Sequence, residues 1–195
     1  MILEQLDLEQ PFIFEIPNIL NLSECNEWIA RIQSAGPEPA TINTPRGTAI
    51  VDQIRNNNRV IFDNPKWAND LFCLVKDEVP QRIHNMNLCG INERLRCYEY
   101  LPGQRFAPHP DGAFFRNDDE QSFYTFIVYL NEDFEGGETT FLVEPEIVIK
   151  PKTGSGLFFQ HPIIHEGVEV TDGTKYVVQT DLMYRKNPDQ KIVAK

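Results

Sequence analysis

A histidine and an aspartate two residues apart, His109 and Asp111, are the first candidates for chemistry in this sequence. Side chains alternate across an extended strand, so residues at this spacing project from the same side. An imidazole nitrogen and a carboxylate oxygen aimed at one point supply two ligands of a metal site. A third ligand must come from elsewhere in the chain.

The third ligand has two candidates on a later segment that follows a predicted strand. Among the four histidines, His161 and His165 lie together between a strand and a turn, and either could join the first two ligands. His84 falls in a polar stretch after a predicted helix, and we expect it on the surface. Two histidines and one carboxylate leave coordination positions open on the metal, as in non-haem Fe(II) oxygenases. A zinc hydrolase is disfavoured, because Glu166 lacks the helical H-E-x-x-H spacing of a general base.

A lysine in the same region fits a role beside such an iron. Lys175 stands ten residues after His165, at the start of the last predicted strand. A 2-oxo acid that chelates iron also carries a distal carboxylate, which needs a cation. A lysine here would by itself be a solvated turn residue, but after a candidate metal histidine we expect it to anchor an anion. A metal-binding module without catalytic activity would not need this lysine.

Two amphipathic helices precede these residues and are expected to support them. Asn21 and Glu24 form a capping box for a helix that runs to about Ser34. The second helix places a proline at its first position, after Asn64, and should stop near Pro80. Helical spacing predicts one buried stripe in each helix. These stripes are Leu22, Cys25, Trp28, Ile29 and Ile32, and then Trp67, Ala68, Leu71, Phe72, Leu74 and Val75.

Short strands separated by Gly and Pro turns dominate the second half of the chain. Their β-branched and aromatic residues are typical of strands. The predicted strands are residues 12–17, 59–62, 95–101, 123–130, 138–143, 147–150, 156–159 and 175–184. Such a series indicates a sandwich, a barrel or a jelly roll. No repeat or linker divides the sequence, so we predict one domain over residues 1–195, with helical support and first strands in 1–92 and the β core in 93–186.

Composition and charge limit the partners of this protein. With 18 basic and 29 acidic residues the net charge is −11, which repels a polyanion, so no nucleic-acid partner is expected. No apolar run approaches the roughly 20 residues that cross a bilayer. The N-terminus lacks the pattern of a signal peptide, so we expect no membrane partner and a cytoplasmic location. The four cysteines form no CxxC pair and are expected to be reduced thiols. Oligomeric state is left open.

Several motifs in order resemble one family. His109-Pro110-Asp111, His165 and Lys175 are similar to the H-x-D … H … K pattern of the 2-oxoglutarate/Fe(II)-dependent dioxygenases. The chain also resembles the prolyl 4-hydroxylase branch in its Y-x-x-G-x-x-(aromatic)-x-x-H-x-D, Y-L-N … G-G-E-T and P-x-x-G-x-x-L-x-F segments. These segments run from Tyr100 to Asp111, from Tyr129 to Thr139 and from Pro151 to Phe159. The resemblance implies an α+β, mainly β fold, with a double-stranded β-helix (jelly roll or cupin-like) core and supporting N-terminal helices.

The same resemblance assigns the metal centre. It implies that His109, Asp111 and His165 are the iron ligands and the catalytic residues. His161 is then a structural histidine or one that orients a ligand through a hydrogen bond. Because Asp111 is a carboxylate rather than the small residue of related halogenases, hydroxylation is the expected outcome.

The resemblance also assigns the cosubstrate pocket. Lys175 would pair with the distal carboxylate of 2-oxoglutarate, Tyr129 would hydrogen-bond the same group, and Tyr100 would lie near the cosubstrate. Core packing with a satisfied hydroxyl is the alternative for each tyrosine. Thr125 and Thr180 are further candidates for the pocket, but alternation alone does not assign their face.

The reaction implied is hydroxylation of a C–H bond with Fe(II), 2-oxoglutarate and O2, which releases succinate and CO2, with ascorbate left open as an addition. A prolyl residue in a peptide or protein is the leading substrate. A free amino acid, a small metabolite, or a non-catalytic metal-binding cupin-like module are the alternatives. One departure concerns Ser122, which stands where related prolyl hydroxylases carry an arginine that faces the peptide. The acidic segment 114–121 is either a mobile lid or a solvated loop, and Arg55 to Arg59 either contacts substrate or is a plain turn.

Overall fold

The computed structural model describes residues 6–44 and 47–187, and within these ranges the chain forms two helices and eighteen strands. The helices are α1 (Leu22–Ala35) and α2 (Pro65–Val75). The strands of the first half are β1 (Ile13–Ile16), β2 (Glu38–Pro39), β3 (Ile42–Thr44), β4 (Gly47–Ala49), β5 (Asn58–Asp63), β6 (Arg82–Ile83) and β7 (Met86–Ile91). Those of the second half are β8 (Arg94–Tyr100), β9 (Phe106–His109), β10 (Phe115–Asn117), β11 (Glu120–Tyr129), β12 (Phe134–Gly136), β13 (Thr139–Phe141), β14 (Ile147–Ile149), β15 (Gly156–Gln160), β16 (His165–Gly167), β17 (Val170–Gly173) and β18 (Lys175–Lys186).

These strands form a large sheet and a small sheet, in both of which every pairing is antiparallel. The large sheet has the order β1-β15-β11-β18-β8-β5-β2, with β10 paired to β11 and the β6–β7 hairpin attached to β18. The small sheet has the order β14-β13-β16-β9, and β12–β17 and β3–β4 are separate pairs. Strands β1 and β5 of the first half pair with β15 and β8, so the N-terminal strands are part of the same large sheet. The predicted α+β, mainly β class is confirmed.

Strand β11 shows how the two faces of the large sheet are used. Phe126 and Val128 belong to the core cluster that also contains the buried residues of α1 and α2. Ile127 and Tyr129 belong to a second cluster together with Phe141 of the small sheet. Since successive side chains of a strand point to opposite faces, the helices cover one face and the small sheet covers the other. The helices therefore support the sheet from behind, as predicted.

Helix α1 begins as the sequence predicts, but its buried stripe is shorter. The Asn21 side chain accepts a hydrogen bond from the Glu24 backbone, and the Glu24 carboxylate accepts one from the Asn21 backbone, which completes the capping box. Leu22 is 66% exposed, however, and Leu74 of α2 is 47% exposed, so both were wrongly assigned to the core. Helical periodicity identifies a face of a helix, but not how much of that face its neighbours cover.

The β6–β7 hairpin was not predicted. Strand β7 contains Asn87 and Gly90 and lacks a clear alternation, which hid it in a stretch that reads as polar. It pairs with the second half of β18, beyond the point where β8 stops, and this explains why β18 reaches Lys186. In the part of the chain that the structure describes, no helix combines the length and the apolar character needed to cross a membrane. All four cysteines are free thiols, as expected.

Candidate active site

Strand register brings His109, Asp111 and His165 together. In the small sheet β9 runs antiparallel to β16, and His109 lies directly opposite His165. The Asp111 backbone N–H donates to the carbonyl of His161 at 3.0 Å, which holds the segment after β9 against the segment before β16. Oδ1 of Asp111 lies 3.8 Å from Nε2 of His109, and Oδ2 of Asp111 lies 3.8 Å from Nε2 of His165. Ligand atoms at this separation fit around one metal ion with bonds of about 2.1 Å.

Backbone carbonyls orient both imidazoles. Nδ1 of His109 lies 2.8 Å from the carbonyl oxygen of Ala107, and Nδ1 of His165 lies 3.0 Å from that of Ile163. A carbonyl oxygen can only accept, so each Nδ1 must carry the proton and each Nε2 presents a lone pair. This is the arrangement by which proteins hold histidine ligands toward a metal. The three residues are thus a group that could hold a metal ion.

The charge state of this group also favours metal binding. Burial, assisted by the neighbouring His165, lowers the pKa of His109 to about 4. Burial by itself would raise the pKa of Asp111, but His165, His109 and the Thr125 hydroxyl outweigh it and lower the pKa below its ordinary value. At neutral pH the site therefore holds a neutral His109 imidazole and a carboxylate, which need not lose a proton to become ligands.

Residues from two strands of the large sheet fix the Asp111 carboxylate. The Thr125 hydroxyl donates to Oδ2 of Asp111 at 2.5 Å, and the Gln179 amide donates to the same oxygen at 3.3 Å. Gln179 was missed by sequence reasoning, although alternation along β18 places it on the same face as Lys175 and Val177. Thr180 points to the opposite face, where its hydroxyl donates to the carbonyl of Asn92, so only one of the two threonine candidates reaches the site.

His161 lies behind the site rather than in it. Its Nδ1 is 3.0 Å from the Thr125 hydroxyl, and its Nε2 is 2.8 Å from the Ser122 hydroxyl. Because Thr125 donates its proton to Asp111, it must accept from Nδ1–H of His161, and Ser122 must donate to Nε2. Ser122 in turn accepts from the Phe114 backbone. Every polar group in this buried chain is satisfied, and Ser122 has a structural partner in the molecule.

Lys175 is buried close to the metal group. It opens β18 opposite Tyr100 on β8, is 4% exposed, and lines one small pocket with His109 and His165. Its Nζ donates to the carbonyl oxygen of Gly137 at 2.6 Å and lies 5.2 and 5.5 Å from the ring centres of Tyr100 and Tyr129. Burial lowers the pKa of Lys175 to about 7, against a weaker opposing influence of Glu138. None of the ion pairs found among residues 6–44 and 47–187 includes Lys175.

The two predicted tyrosines line the same pocket as neutral hydrogen-bonding groups. The Tyr129 hydroxyl lies 2.7 Å from the Thr139 hydroxyl. Burial raises the pKa of Tyr100 to about 12 and also raises the pKa of Tyr129. Lys175 is therefore surrounded by aromatic rings and hydroxyl groups and is available to an anion that enters the pocket.

A larger cleft of about 720 Å³ also reaches the metal group. His109 and Asp111 line it together with Arg55, which is buried rather than part of a plain surface turn. The segment 114–121 contains the β10–β11 hairpin, and Phe114 at its start lines this cleft. Arg116 in the hairpin forms ion pairs with Glu93 and Glu120. His84, in contrast, is exposed, as predicted.

Comparisons with known proteins agree with this geometry. The family model described as the 2OG-Fe(II) oxygenase superfamily matches residues 95–180. A protein of Acanthamoeba polyphaga mimivirus, named as a prolyl 4-hydroxylase, is 27% identical over 198 residues, covering 91% of this chain and 75% of that protein.

Solved structures share the fold. The viral collagen prolyl hydroxylase of Paramecium Bursaria Chlorella virus-1, solved with 2OG, has a TM-score of 0.63 and 21% identity, covering 91% of this chain and 98% of its own. A Trichoplax adhaerens prolyl hydroxylase, solved with a peptide fragment of the hypoxia inducible factor oxygen degradation domain, has a TM-score of 0.68 and 16% identity, covering 97% and 90%. The predicted jelly-roll core is confirmed. The match over residues 95–180 and these relatives together support a 2OG-Fe(II) oxygenase that is prolyl hydroxylase-like.

Proposed function

We propose that this protein hydroxylates a prolyl residue in a peptide or protein, with iron held by His109, Asp111 and His165 and 2-oxoglutarate anchored by Lys175. The observation that carries the proposal is the joint placement of three converging ligand atoms and one buried lysine without a carboxylate partner in the described structure. A non-catalytic cupin-like module would have no use for that lysine. Two imidazoles and one carboxylate suit Fe(II), which keeps open positions in such a site.

The residues of the chain divide the work between positioning and binding. Bound Fe(II) would offer coordination positions to 2-oxoglutarate and O2. The oxidant would be O2, of which one atom enters the substrate C–H bond and the other enters succinate as 2-oxoglutarate loses CO2. Hydrogen bonds from Nδ1 to backbone carbonyls keep the Nε2 atoms of His109 and His165 aimed at the metal. Thr125 and Gln179 hold Oδ2 of Asp111, which leaves Oδ1 free to face the metal.

The pocket around Lys175 suits the distal carboxylate of the cosubstrate. The ammonium group supplies charge, and the hydroxyls of Tyr129 and Thr139 supply hydrogen bonds at the same end of the pocket. A charge-assisted hydrogen bond in a buried pocket is stronger than one in water. The aromatic walls also keep water away from the reacting atoms.

The choice of a peptide substrate is supported by the relatives and by the open cleft. The relatives with similar structures are named as prolyl hydroxylases, and one of them was solved with a peptide. The cleft beside the metal group is open to solvent and large enough for several residues of an extended chain. The net charge of −11 argues against a nucleic-acid substrate. We also propose that the protein is cytoplasmic and that ascorbate stimulates the hydroxylation.

Mass spectrometry of prolyl peptides after incubation with Fe(II), 2-oxoglutarate and O2 tests the proposal. We expect the mass of one oxygen atom to be gained on proline, with an equal amount of succinate, and no product from His165→Ala. Omitting ascorbate should lower the yield over many turnovers. Succinate formation without any oxidised peptide, across a broad peptide set and with free amino acids as comparison, would move the substrate class to small molecules.

A further inference from the structure

Arg55 holds an unsatisfied buried donor beside the metal group. Its side chain is 4% exposed, and its Nε donates to Oδ1 of Asn57 at 2.7 Å. Its Nη2 is the one buried side-chain nitrogen or oxygen that has no hydrogen-bond partner in the described part of the chain. Leaving a buried charged donor unpaired is costly, so each such case calls for a physical explanation.

The surroundings hold this guanidinium in a fixed place. It lies between the ring of Tyr98, 4.3 Å from the ring centre, and the ring of Phe106, at 4.2 Å. Phe106 is itself stacked on the imidazole of His109, with ring centres 3.5 Å apart. Arg55 is thus one aromatic ring away from a proposed iron ligand, and it lines the same cleft. A stacked guanidinium loses little freedom when it binds a planar anion.

Other arginines on the same wall show that the lack of a partner is selective. Arg94 binds the Asp63 carboxylate with two hydrogen bonds, at 2.9 and 3.1 Å, and Arg96 lies 3.3 Å from an Asp181 oxygen. Arg59 instead donates to the Thr41 hydroxyl. Burial lowers the pKa of Arg59, and the charges of Arg55 and Arg96 contribute to the same change. Like charges gathered in one cleft favour an anion that enters it.

The excess of acidic residues in the chain makes the lack of ion pairs at Arg55 and Arg59 informative. The protein has 29 acidic residues against 18 basic ones, so carboxylates are abundant. Yet no ion pair among the residues that the structure describes involves Arg55 or Arg59. The charge of Asp111 reaches Arg55 without forming an ion pair with it. Two cleft arginines without an ion pair in the described structure are suited to a carboxylate that enters from outside.

We propose that Arg55, assisted by Arg59, binds a carboxylate of the substrate and selects substrates that carry one near the hydroxylated carbon. The inference rests on the proposed hydroxylase function and narrows its substrate class. A guanidinium matches a carboxylate with parallel N–H donors. The carboxylate has two sources: an acidic side chain next to the target proline in a peptide, or the α-carboxylate of a free amino acid.

Matched acid and amide substrates test the selection. One pair is a prolyl peptide with a neighbouring glutamate and the same peptide with glutamine, and the other pair is L-proline and L-prolinamide. For the wild-type enzyme, we expect the acid of the correct pair to have a kcat/KM roughly 10- to 100-fold higher than its amide. The pair that shows this preference identifies the source of the carboxylate.

Two variants locate the preference in the cleft. Arg55→Gln should reduce the acid-over-amide ratio to about threefold or less, while the matched control Arg94→Gln, which removes an already paired arginine from the same wall, should keep it. A ratio that survives in Arg55→Gln overturns the inference, as does an Arg55→Gln variant that loses 2-oxoglutarate affinity with the ratio unchanged. If Arg55→Gln does not fold, Arg55→Lys replaces it in this test. Lysine retains the charge but lacks the parallel N–H donors, so the acid-over-amide ratio should fall in this variant as well.

Two measurements distinguish a failure of the carboxylate site from a failure of the proposed hydroxylase function. Calorimetric binding of the same acid and amide pairs needs no turnover and reports the carboxylate preference directly. Uncoupled conversion of 2-oxoglutarate to succinate, without any prime substrate, reports the oxygenase function. Succinate formation without an acid preference overturns only the carboxylate site, whereas an acid preference without succinate formation overturns only the oxygenase function.

Discussion

The affinity for 2-oxoglutarate is expected to depend on pH through Lys175. Burial lowers the pKa of this lysine to about 7, whereas an exposed lysine has 10.5. At 1.36 kcal/mol for each pH unit, carrying the charge in the ligand-free pocket costs about 5 kcal/mol. A bound carboxylate pairs with the ammonium group, so binding raises the pKa of Lys175 again.

The sign and size of the effect follow from this linkage. Below about pH 7 Lys175 is already protonated before 2-oxoglutarate binds, so the affinity is constant there. Above this pH the free enzyme must take up a proton on binding, and the affinity falls about tenfold for each pH unit. In the same pocket His109 has a pKa of about 4, and burial raises the pKa of Tyr100 to about 12 and also raises that of Tyr129, so these three groups stay neutral across this range.

Calorimetry in two buffers of different ionisation enthalpy measures both quantities. We expect proton uptake on 2-oxoglutarate binding to rise from near zero at about pH 6 to near one at about pH 9. Lys175→Gln should bind 2-oxoglutarate weakly and without this pH dependence, and Lys152→Gln, which removes an exposed lysine, should behave as the wild type. A wild-type affinity that does not change between about pH 6 and pH 9 would refute the reasoning.

Three further outcomes follow from contacts in and around the site. Lys175→Met should stabilise the ligand-free protein by a few kcal/mol at about pH 6, where the folded wild-type protein must carry the buried charge of Lys175. This stabilisation should shrink as the pH rises from about 7 toward 10.5, because Lys175 of the folded wild-type protein is then neutral. Urea unfolding of both proteins at about pH 6 and pH 9 measures the change in the free energy of unfolding. Thr125→Val should weaken metal binding by about 10- to 100-fold, because the hydrogen bond to Asp111 is lost. Competition with a chelator measures the affinity. An unchanged affinity would show that Gln179 alone suffices to hold the Asp111 carboxylate in place. Gly136→Ala should destabilise the protein by more than about 2 kcal/mol, because its Cβ would lie 2.2 Å from the carbonyl oxygen of Glu169 at a φ of +71°. Gly112→Ala, with open space around its Cβ, is the control in the same unfolding assay.

Local features of the fold were predictable because they depend on neighbours in sequence. The capping box at Asn21 and the proline that starts α2 are both formed as predicted. The main strands of the second half were found within a few residues, since alternation and β-branched residues mark them. The β6–β7 hairpin and the exposure of Leu22 were missed, because they depend on what a distant strand or helix covers.

The sequence by itself indicated that His109 and Asp111 could aim at one point, and that a lysine opens the last strand. In the structure β9 ends at His109, and Asp111 lies just after it. The choice of His165 over His161 was open from the residues alone and came only through a family resemblance. The strand register places His109 opposite His165 and turns His161 toward Thr125, and this geometry favours His165 as the third ligand. Strand register is set by pairing between distant segments and by the packing of both sheets, so no local pattern contains it.

The same reason explains the parts of the site that only the tertiary structure revealed. Gln179 reaches Asp111 from the large sheet, and Arg55, whose Nη2 has no hydrogen-bond partner in the described structure, lines the cleft from a segment far earlier in the chain. A sequence shows which groups are available and which face of an element they share. Whether a buried arginine finds a partner, or remains free for a ligand, is decided by every segment that packs around it.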